Sequence, residues 1–408
     1  MADIATVAEA IAAAAAGADV IASTMRGYTD ETDTVRVFEP EFIRALVASV
    51  NVPVMAEGRI QTPAEAARAI VAGAHAVIVG TAITRPEAIA ARFVEAVERA
   101  SKRSTGPVLG IDIGGTNTKI AAVLPDGSLR SQATLPTPPG GGRETLMNHL
   151  QTAAGQALCA AEAADLKIEA IGIATAGWVD HAAGAVKWAT SNLPGWTGAP
   201  IATELRRATG LRVVVENDAV AAAIAEWRFG AARGVRNFVC LTLGTGVGGG
   251  CYVDGRLLRG AHSLAGALGH VPIAHDGPEC SCGRRGCLET YANAAALVRY
   301  ADGCYGSAEE VIRAANAGDA VACAALRTLA SHLASGLAAI IHVLDPELIV
   351  LAGGLAQNNE PLFTYLHEQL ARLLFAAEVR ALQVRPSALG YYSGVMGAAA
   401  ALSSHVLL

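Results

Sequence analysis

Between His270 and Glu289 the chain reads HVPIAHDGPECSCGRRGCLE, with Cys280, Cys282 and Cys287 spaced C-x-C-x4-C behind a single histidine. Zinc takes four nitrogen or sulfur ligands at the corners of a tetrahedron, and one His with three Cys is a common structural set. Gly283 and Gly286 stand where such a knuckle would turn, and a residue without Cβ turns at least cost. The alternative is three cysteines that lie close together in a core. A disulfide is disfavoured, because the N-terminus carries no secretion signal. Glu289 follows Cys287 by two residues, so a carboxylate is held beside the metal loop.

Two glycine-rich turns offer a second chemistry. Residues 108–130 give an apolar strand, the turn Asp112-Ile113-Gly114-Gly115-Thr116, a second strand and an Asp126-Gly127 turn. Residues 238–257 repeat that order around Gly244-Thr245-Gly246-Val247-Gly248-Gly249, which reads as an internal duplication of two lobes. Glycines let backbone N–H groups approach an anion, Thr116 adds a hydroxyl, and an Asp at a strand end can hold Mg²⁺ through water. One copy alone could be an ordinary tight hairpin. The second copy formally matches the dinucleotide fingerprint G-x-G-x-x-G, but that motif requires a helix to follow. Here residues 250–253 continue as a strand to Asp254-Gly255, so a Rossmann site is rejected. Neither turn has the lysine of a P-loop. Two facing hairpins remain, able to clamp the β- and γ-phosphates of a nucleotide.

Glu216-Asn217-Asp218-Ala219 ends a strand and opens an alanine-rich helix. Asn217 or Asp218 would serve as an N-cap in any case. A phosphotransferase acting on a hydroxyl also needs a carboxylate to accept the proton, a contribution of roughly 10²–10⁴-fold. An acid at the C-terminal end of a strand, facing a crevice, is placed for that work. Residues 176–180 (AGWVD) and 191–196 (SNLPGW) read as sugar-facing loops. Asn192 offers both donor and acceptor to hydroxyls, and Trp196 shapes its loop or belongs to the core.

The elements that position these groups fall into two parts. Residues 1–100 alternate expected strands at 20–25, 52–57 and 75–80 with expected helices at 6–16, 39–49, 62–72 and 85–100. Pro63 and Pro86 stand near first helical turns, and Gly17 and Gly73 close helices. This is a βα series with a parallel sheet, and three strands are too few for a closed barrel of eight. Residues 101–107 (SKRSTGP) form a polar linker, and residues 136–142 (PTPPGGG) a flexible loop. Beyond the linker, strands are expected at 168–174, 211–216 and 348–352, with helices at 219–227, 323–344 and about 393–402. The first lobe spans about 108–235 and the second about 236–390.

The 408 residues are 52% hydrophobic and 17% charged, a composition for packed cores rather than disorder. The net charge of −6, with basic residues adjacent only in pairs such as Lys102-Arg103 and Arg284-Arg285, argues against nucleic acid as a partner. The first twenty residues carry Asp3, Glu9 and Asp19, which suits neither a signal peptide nor a membrane span. Cys159, Cys240, Cys251, Cys304 and Cys323 lie among apolar residues and read as buried and inert. A reduced cytoplasm is the expected compartment.

Residues 108–408 resemble the ROK family of sugar kinases. The matching pieces are DxGGT at 112–116, ENDA at 216–219, LTLGTGVGGG at 241–250 and GH…CxCGxxGCxE at 269–289. The resemblance implies an α/β protein with the actin-like, ribonuclease-H-like two-lobed ATPase fold. It implies ATP and Mg²⁺ at Asp112, Gly114, Gly115, Thr116, Gly244, Thr245, Gly246, Gly353 and Gly354. It makes Asp218 the general base on a sugar 6-hydroxyl, puts structural Zn²⁺ at His270, Cys280, Cys282 and Cys287, and assigns sugar hydroxyls to Asn192, Asn217, Asp218, His270 and Glu289. It also implies a homodimer. Many members carry Glu three residues before the zinc His, where it binds sugar; this chain has Ala267, which argues against an ordinary glucokinase.

Residues 1–100 resemble the C-terminal part of N-acetylmannosamine-6-phosphate 2-epimerase, a TIM barrel. The matches are STMRGYT at 23–29, AEGRI around Glu57 and VGTAITRP at 79–86. Glu57 corresponds to a catalytic acid/base, while the partner lysine belongs to an earlier strand, so a partial barrel without epimerase activity is expected. Fused enzymes usually act on consecutive steps, an argument by association. The two resemblances together imply ATP-dependent 6-phosphorylation of N-acetylmannosamine, an amino sugar of sialic acid breakdown. The other readings are a kinase for N-acetylglucosamine or glucose, a bifunctional epimerase/kinase if upstream residues exist, and a sugar-binding repressor. A repressor would carry a basic helix-turn-helix in place of the βα units.

Overall fold

The computed structural model describes residues 1–87, 89–91, 93–94, 106–140, 142–189 and 193–404. The chain forms two compact units, Met1–Lys102 and Arg103–Leu408.

In the first unit, strands Ala2–Asp3, Ile21–Ala22, Val54–Glu57 and Ala76–Ile78 form a parallel sheet in sequence order. Helices Val7–Ala15, Pro40–Ser49 and Pro63–Val71 run between them. Thr6 with Glu9, and Thr62 with Glu65, build reciprocal capping boxes that satisfy otherwise orphaned N–H groups. Gly17 and Gly73 take positive φ after their helices. The core comprises Ile4, Ile21, Ile43, Leu46 and Val54. The sheet therefore has four strands where three were expected. Ala2–Asp3 is too short for an alternation of apolar residues to announce it. Of the helix expected at 85–100, residues 86–87, 89–91 and 93–94 are helical, and 88, 92 and 95–100 lie outside the described residues.

The second unit contains two five-stranded sheets of one topology. The first runs Arg212–Asn217, Ala170–Thr175, Val108–Ile113, Asn117–Val123, Leu129–Pro136. The second runs Gln383–Pro386, Leu348–Ala352, Phe238–Leu243, Val247–Val253, Arg256–Leu257. In each, an antiparallel hairpin continues into parallel strands on one side. The glycine run after Leu243 returns as the strand Val247–Val253, the geometry on which a dinucleotide site was rejected. Asp254 and Gly255 both have positive φ, as a two-residue hairpin turn requires.

Helices Asp218–Phe229 and Ser393–Ser404 pack against each other and against the sheets. Small residues set their spacing: a Cβ at Gly397 would collide with the carbonyl of Ala221, and one at Gly172 with that of Ala398. The alanine-rich composition is thus a packing requirement at the centre of this unit. One helix among the described residues, Ala320–Leu344, is long and apolar enough to cross a membrane. Its Leu326, Leu329, Leu333, Leu337 and Ile341 are buried in the core of the second sheet, so its apolarity is spent inside the protein. Cys240 and Cys251 are buried as expected, and burial pushes the Cys251 thiol up to about 12. Cys159 and Cys304 are exposed and Cys323 is partly so. Apolar neighbours in sequence do not bury a residue on the outer side of a helix or just beyond its end.

Candidate active site

Three parallel strands of the first sheet end level. Asp112 is in register with Ala174 and Glu216, and Ile113 with Thr175 and Asn217. Ligands of open α/β sheets gather at such carboxyl ends, and here a cleft of about 470 Å³ opens beyond them. Its wall includes Gly115 and Thr116 of the first turn, Gly244, Thr245 and Gly246 of the second, Gly353, and the side chains of Asp218, His270 and Glu289. Gly114 closes the first turn by donating its N–H to the carbonyl of Asn117 (3.0 Å). Gly353 has φ +88°, and a Cβ there would strike the carbonyl of Leu243. Gly354 follows it in the same turn. Asn192 lies outside the described residues.

Asp218 is the first residue of its helix, and Asn217 is the N-cap, accepting from the N–H groups of Ala219 and Val220. The Asn217 amide donates to the carbonyl of Gly177 (2.9 Å) and to Asp218 Oδ1 (3.0 Å). Both acceptor sites and both hydrogens of Asn217 are therefore used within the protein, and its effect here is to orient Asp218. Asp218 Oδ1 also accepts from the N–H of Ala219 (2.8 Å). Burial, and then the charge of Asp112, push the Asp218 carboxyl up to about 6. Asp112 is itself buried, facing Lys119 across the hairpin with Nζ 3.2 Å from Oδ2. Lys119 Nζ also lies 4.3 Å from the ring centre of Tyr391.

On the opposite wall, one donor atom from each of His270, Cys280, Cys282 and Cys287 lies within 4.8 Å of the others. Cys280 Sγ is 3.5 Å from His270 Nδ1, and Cys282 Sγ is 3.7 Å from Cys287 Sγ. Zinc–sulfur bonds of about 2.3 Å and zinc–nitrogen bonds of about 2.0–2.1 Å put tetrahedral ligands about 3.5–3.8 Å apart, so the donor set fits zinc. Gly283 and Gly286 have positive φ, and a Cβ at Gly286 would hit the carbonyl of Ala274. Glu289 accepts from the N–H of Val247 and from Ser281 Oγ, each at 3.0 Å. The carboxylate is thereby fixed between the metal loop and the second hairpin. The Trp178 ring lies 5.5 Å from that of His270, which ties the loop at 176–180 to the metal side. Trp196 is fully buried and donates to Thr175 Oγ1 (2.9 Å), so it belongs to the core.

Lys119, Arg259 and Ser281 join the site without having been expected there, while Trp178 belongs to the loop at 176–180 expected to face the sugar. Lys119 had a readable signal, since hairpin pairing places it opposite Asp112. Arg259 had none: it reaches Glu216 (2.8 Å) from 43 residues away.

Two sheets of one topology, with a strand-end carboxylate and glycine-rich turns on a shared cleft, define the actin-like two-lobed ATPase fold. The chain belongs to the ROK family, whose model matches residues 108–405. Residues 1–99 match the model described as putative N-acetylmannosamine-6-phosphate epimerase, a TIM-barrel-like segment. The chain is 40% identical over 368 residues to the bifunctional enzyme NanE/NanK of Brucella melitensis biotype 1. That match covers 88% of this chain and 66% of the Brucella protein. It is 35% identical over 297 residues to an N-acetylmannosamine kinase of Citrobacter koseri, covering 71% of this chain and 97% of that one. A ROK family glucokinase of Streptomyces griseus, solved with glucose and AMPPNP, superposes with a TM-score of 0.65 at 35% identity, covering 72% of this chain and 98% of that one.

Proposed function

We propose that this chain transfers the γ-phosphoryl group of ATP to the 6-hydroxyl of N-acetylmannosamine, with Asp218 as general base. The observation that carries the reading is the position of Asp218, at the level end of three strands and on one cleft with both glycine-rich turns, His270 and Glu289. Asp218 takes the hydroxyl proton, the sugar oxygen attacks the γ-phosphorus, and the bond to the bridging oxygen breaks to release ADP. A carboxyl held at about 6 is ionised at neutral pH and still basic enough to accept that proton. Backbone N–H groups of the two turns meet the phosphates. Asp112 would hold magnesium through water, and the ion would neutralise phosphate charge. His270, Cys280, Cys282 and Cys287 would hold zinc in a closed, structural site that fixes the loop bearing Glu289.

The choice of sugar rests on residues 1–99, whose relatives act on N-acetylmannosamine 6-phosphate by name, and on the kinase of Citrobacter koseri. Ala267 on the cleft wall, where many members carry Glu, separates the chain from ordinary glucokinases. Glucose and N-acetylglucosamine are the competing acceptors. Release of ADP from a panel of plain and N-acetylated hexoses tests the proposal. N-acetylmannosamine should give the highest kcat/KM. A preference for glucose would overturn the sugar assignment, and no release with any sugar would overturn the kinase.

A further inference from the structure

The segment that runs from the second hairpin to His270 lies along the cleft, with Leu258, Arg259, Ser263, Ala265 and Ala267 on its wall. Its far end is packed on the second sheet: a Cβ at Gly266 would come within 3.0 Å of the carbonyl of Gly249, and Leu268 packs directly on Gly249. Its near end is tied to the first lobe, at Glu216 of the first sheet and at Lys187 of the short hairpin strand Ala185–Trp188. Arg259 Nη2 lies 2.8 Å from Glu216 Oε2, and Lys187 Nζ donates to the carbonyl of His262 (3.3 Å). Glu216 is only 3% exposed. Its other oxygen accepts from the N–H of Asn217 (3.0 Å), the residue that caps the helix and orients Asp218.

A buried carboxylate is costly unless it is paired and hydrogen-bonded. His181 Nδ1 is also near, 3.4 Å from Glu216 Oε2 and 3.2 Å from the carbonyl of Val215. Burial, and then the charge of Arg259, lower its pKa to about 4, so at neutral pH it is uncharged. The counter-charge to Glu216 therefore comes from Arg259. Glu216 sits two residues before Asp218 and in register with Asp112, so whatever moves it moves the strand end that presents the base.

We propose that Arg259 is a positioning residue for the phosphoryl transfer: its ion pair with Glu216 straps the 258–270 segment to the first sheet, and so fixes both the wall of the sugar cleft and the position of Asp218. This rests on the kinase reading of the cleft. Neither partner lies on the two glycine-rich turns, so the strap acts on sugar and base and leaves nucleotide binding alone.

The test uses the full chain with Arg259→Gln, Glu216→Gln and the double variant, assayed with the best acceptor of the sugar panel and monitored for thermal unfolding. Each single variant should lower kcat/KM for sugar at least ~10-fold while KM for ATP stays within about twofold. The double variant removes both charges, so its Tm should recover toward wild type, because no buried charge is left unpaired. Its kcat/KM for sugar should stay low, since the strap is still undone. A double variant with recovered Tm and wild-type kcat/KM would reduce the pair to a stabilising role and overturn the proposal. Equal losses for sugar and ATP in the single variants would also overturn it. A wild-type chain that phosphorylates no sugar would instead remove the kinase reading itself, and the strap with it.

Discussion

Glu57 and Asp218, one in each unit, both stand where a parallel strand ends, and their surroundings differ. Glu57 ends Val54–Glu57, accepts from Thr24 Oγ1 (2.8 Å) and borders a hollow of about 10 Å³, the room of a single water. Asp218 follows Arg212–Asn217 and borders about 470 Å³, room for a sugar and part of a nucleotide. Asp218 also has a dedicated orienting amide in Asn217 and a neighbouring carboxylate that raises its pKa. Among the described residues of the first unit no lysine stands beside Glu57 to share proton transfer. A strand-end acid is easily supplied by a βα sequence. A strand-end acid needs a second wall to meet a substrate, and Asp218 has one in the duplicated sheet and the Cys/His loop at 270–287.

The sharpest way to break this comparison is to neutralise each acid in turn. Asp218→Asn keeps the size and the cap geometry but cannot take a proton. It should lower kcat for sugar phosphorylation by at least ~10²-fold with sugar affinity retained. Glu57→Gln, in the same assay, should leave phosphorylation unchanged. A near wild-type rate for the Asp218 variant would end the assignment of the base.

The pH profile sharpens the same contrast. The base must be ionised to act, and the Asp218 carboxyl is held at about 6, above its ordinary value, by burial and by Asp112. Log kcat/KM for sugar should therefore be flat above about pH 6 and fall with unit slope below it, roughly tenfold by pH 5. Activity that holds level to pH 4.5 would mean that a group with an ordinary carboxylate pKa, or none, limits the rate.

The zinc proposed for the second wall offers a further test of it. Cys282→Ser should lose zinc and raise KM for sugar several-fold, with a smaller change in kcat, because Glu289 is tied to the metal loop through Ser281. Metal analysis of the wild-type protein should give close to one equivalent. Less than about half an equivalent would speak against a structural site.

Much of this arrangement was legible in the chain because it rests on local signals. The hairpin turns, the C-x-C-x4-C spacing and the strand-to-helix switch at Glu216-Asn217-Asp218 each declare themselves within about twenty residues, and all reach one cleft. Contacts between distant segments were not legible. Arg259 pairs with Glu216, and Trp178 meets His270, only because two sheets stack through helices of small residues. Asn217 lines the cleft where sugar contacts were expected. Its type suits sugar hydroxyls, yet the fold spends all four of its hydrogen-bonding positions on the cap, Gly177 and Asp218. At the N-terminus, a two-residue strand carried too little pattern to be seen.

The smallest expected effect belongs to the N-terminal unit. Among the described residues its parallel sheet runs from Ala2–Asp3 to Ala76–Ile78, four strands where a closed barrel has eight. Two-sided proton transfer at a sugar C2 needs a group on each face, and this unit offers Glu57 beside a water-sized hollow. The cleft of the second unit is lined wholly by residues between Gly115 and Gly353, and the Citrobacter koseri relative corresponds over 97% of its length to 71% of this chain. Deleting residues 1–104 should therefore leave kcat and KM for sugar phosphorylation within about twofold of the full chain. The full chain, given N-acetylmannosamine 6-phosphate without ATP, should form no N-acetylglucosamine isomer by proton exchange at C2. Either a collapse of kinase activity on deletion or ATP-independent epimerisation would show that the first unit takes part in the chemistry, and that Glu57 and Asp218 are closer in kind than their surroundings imply.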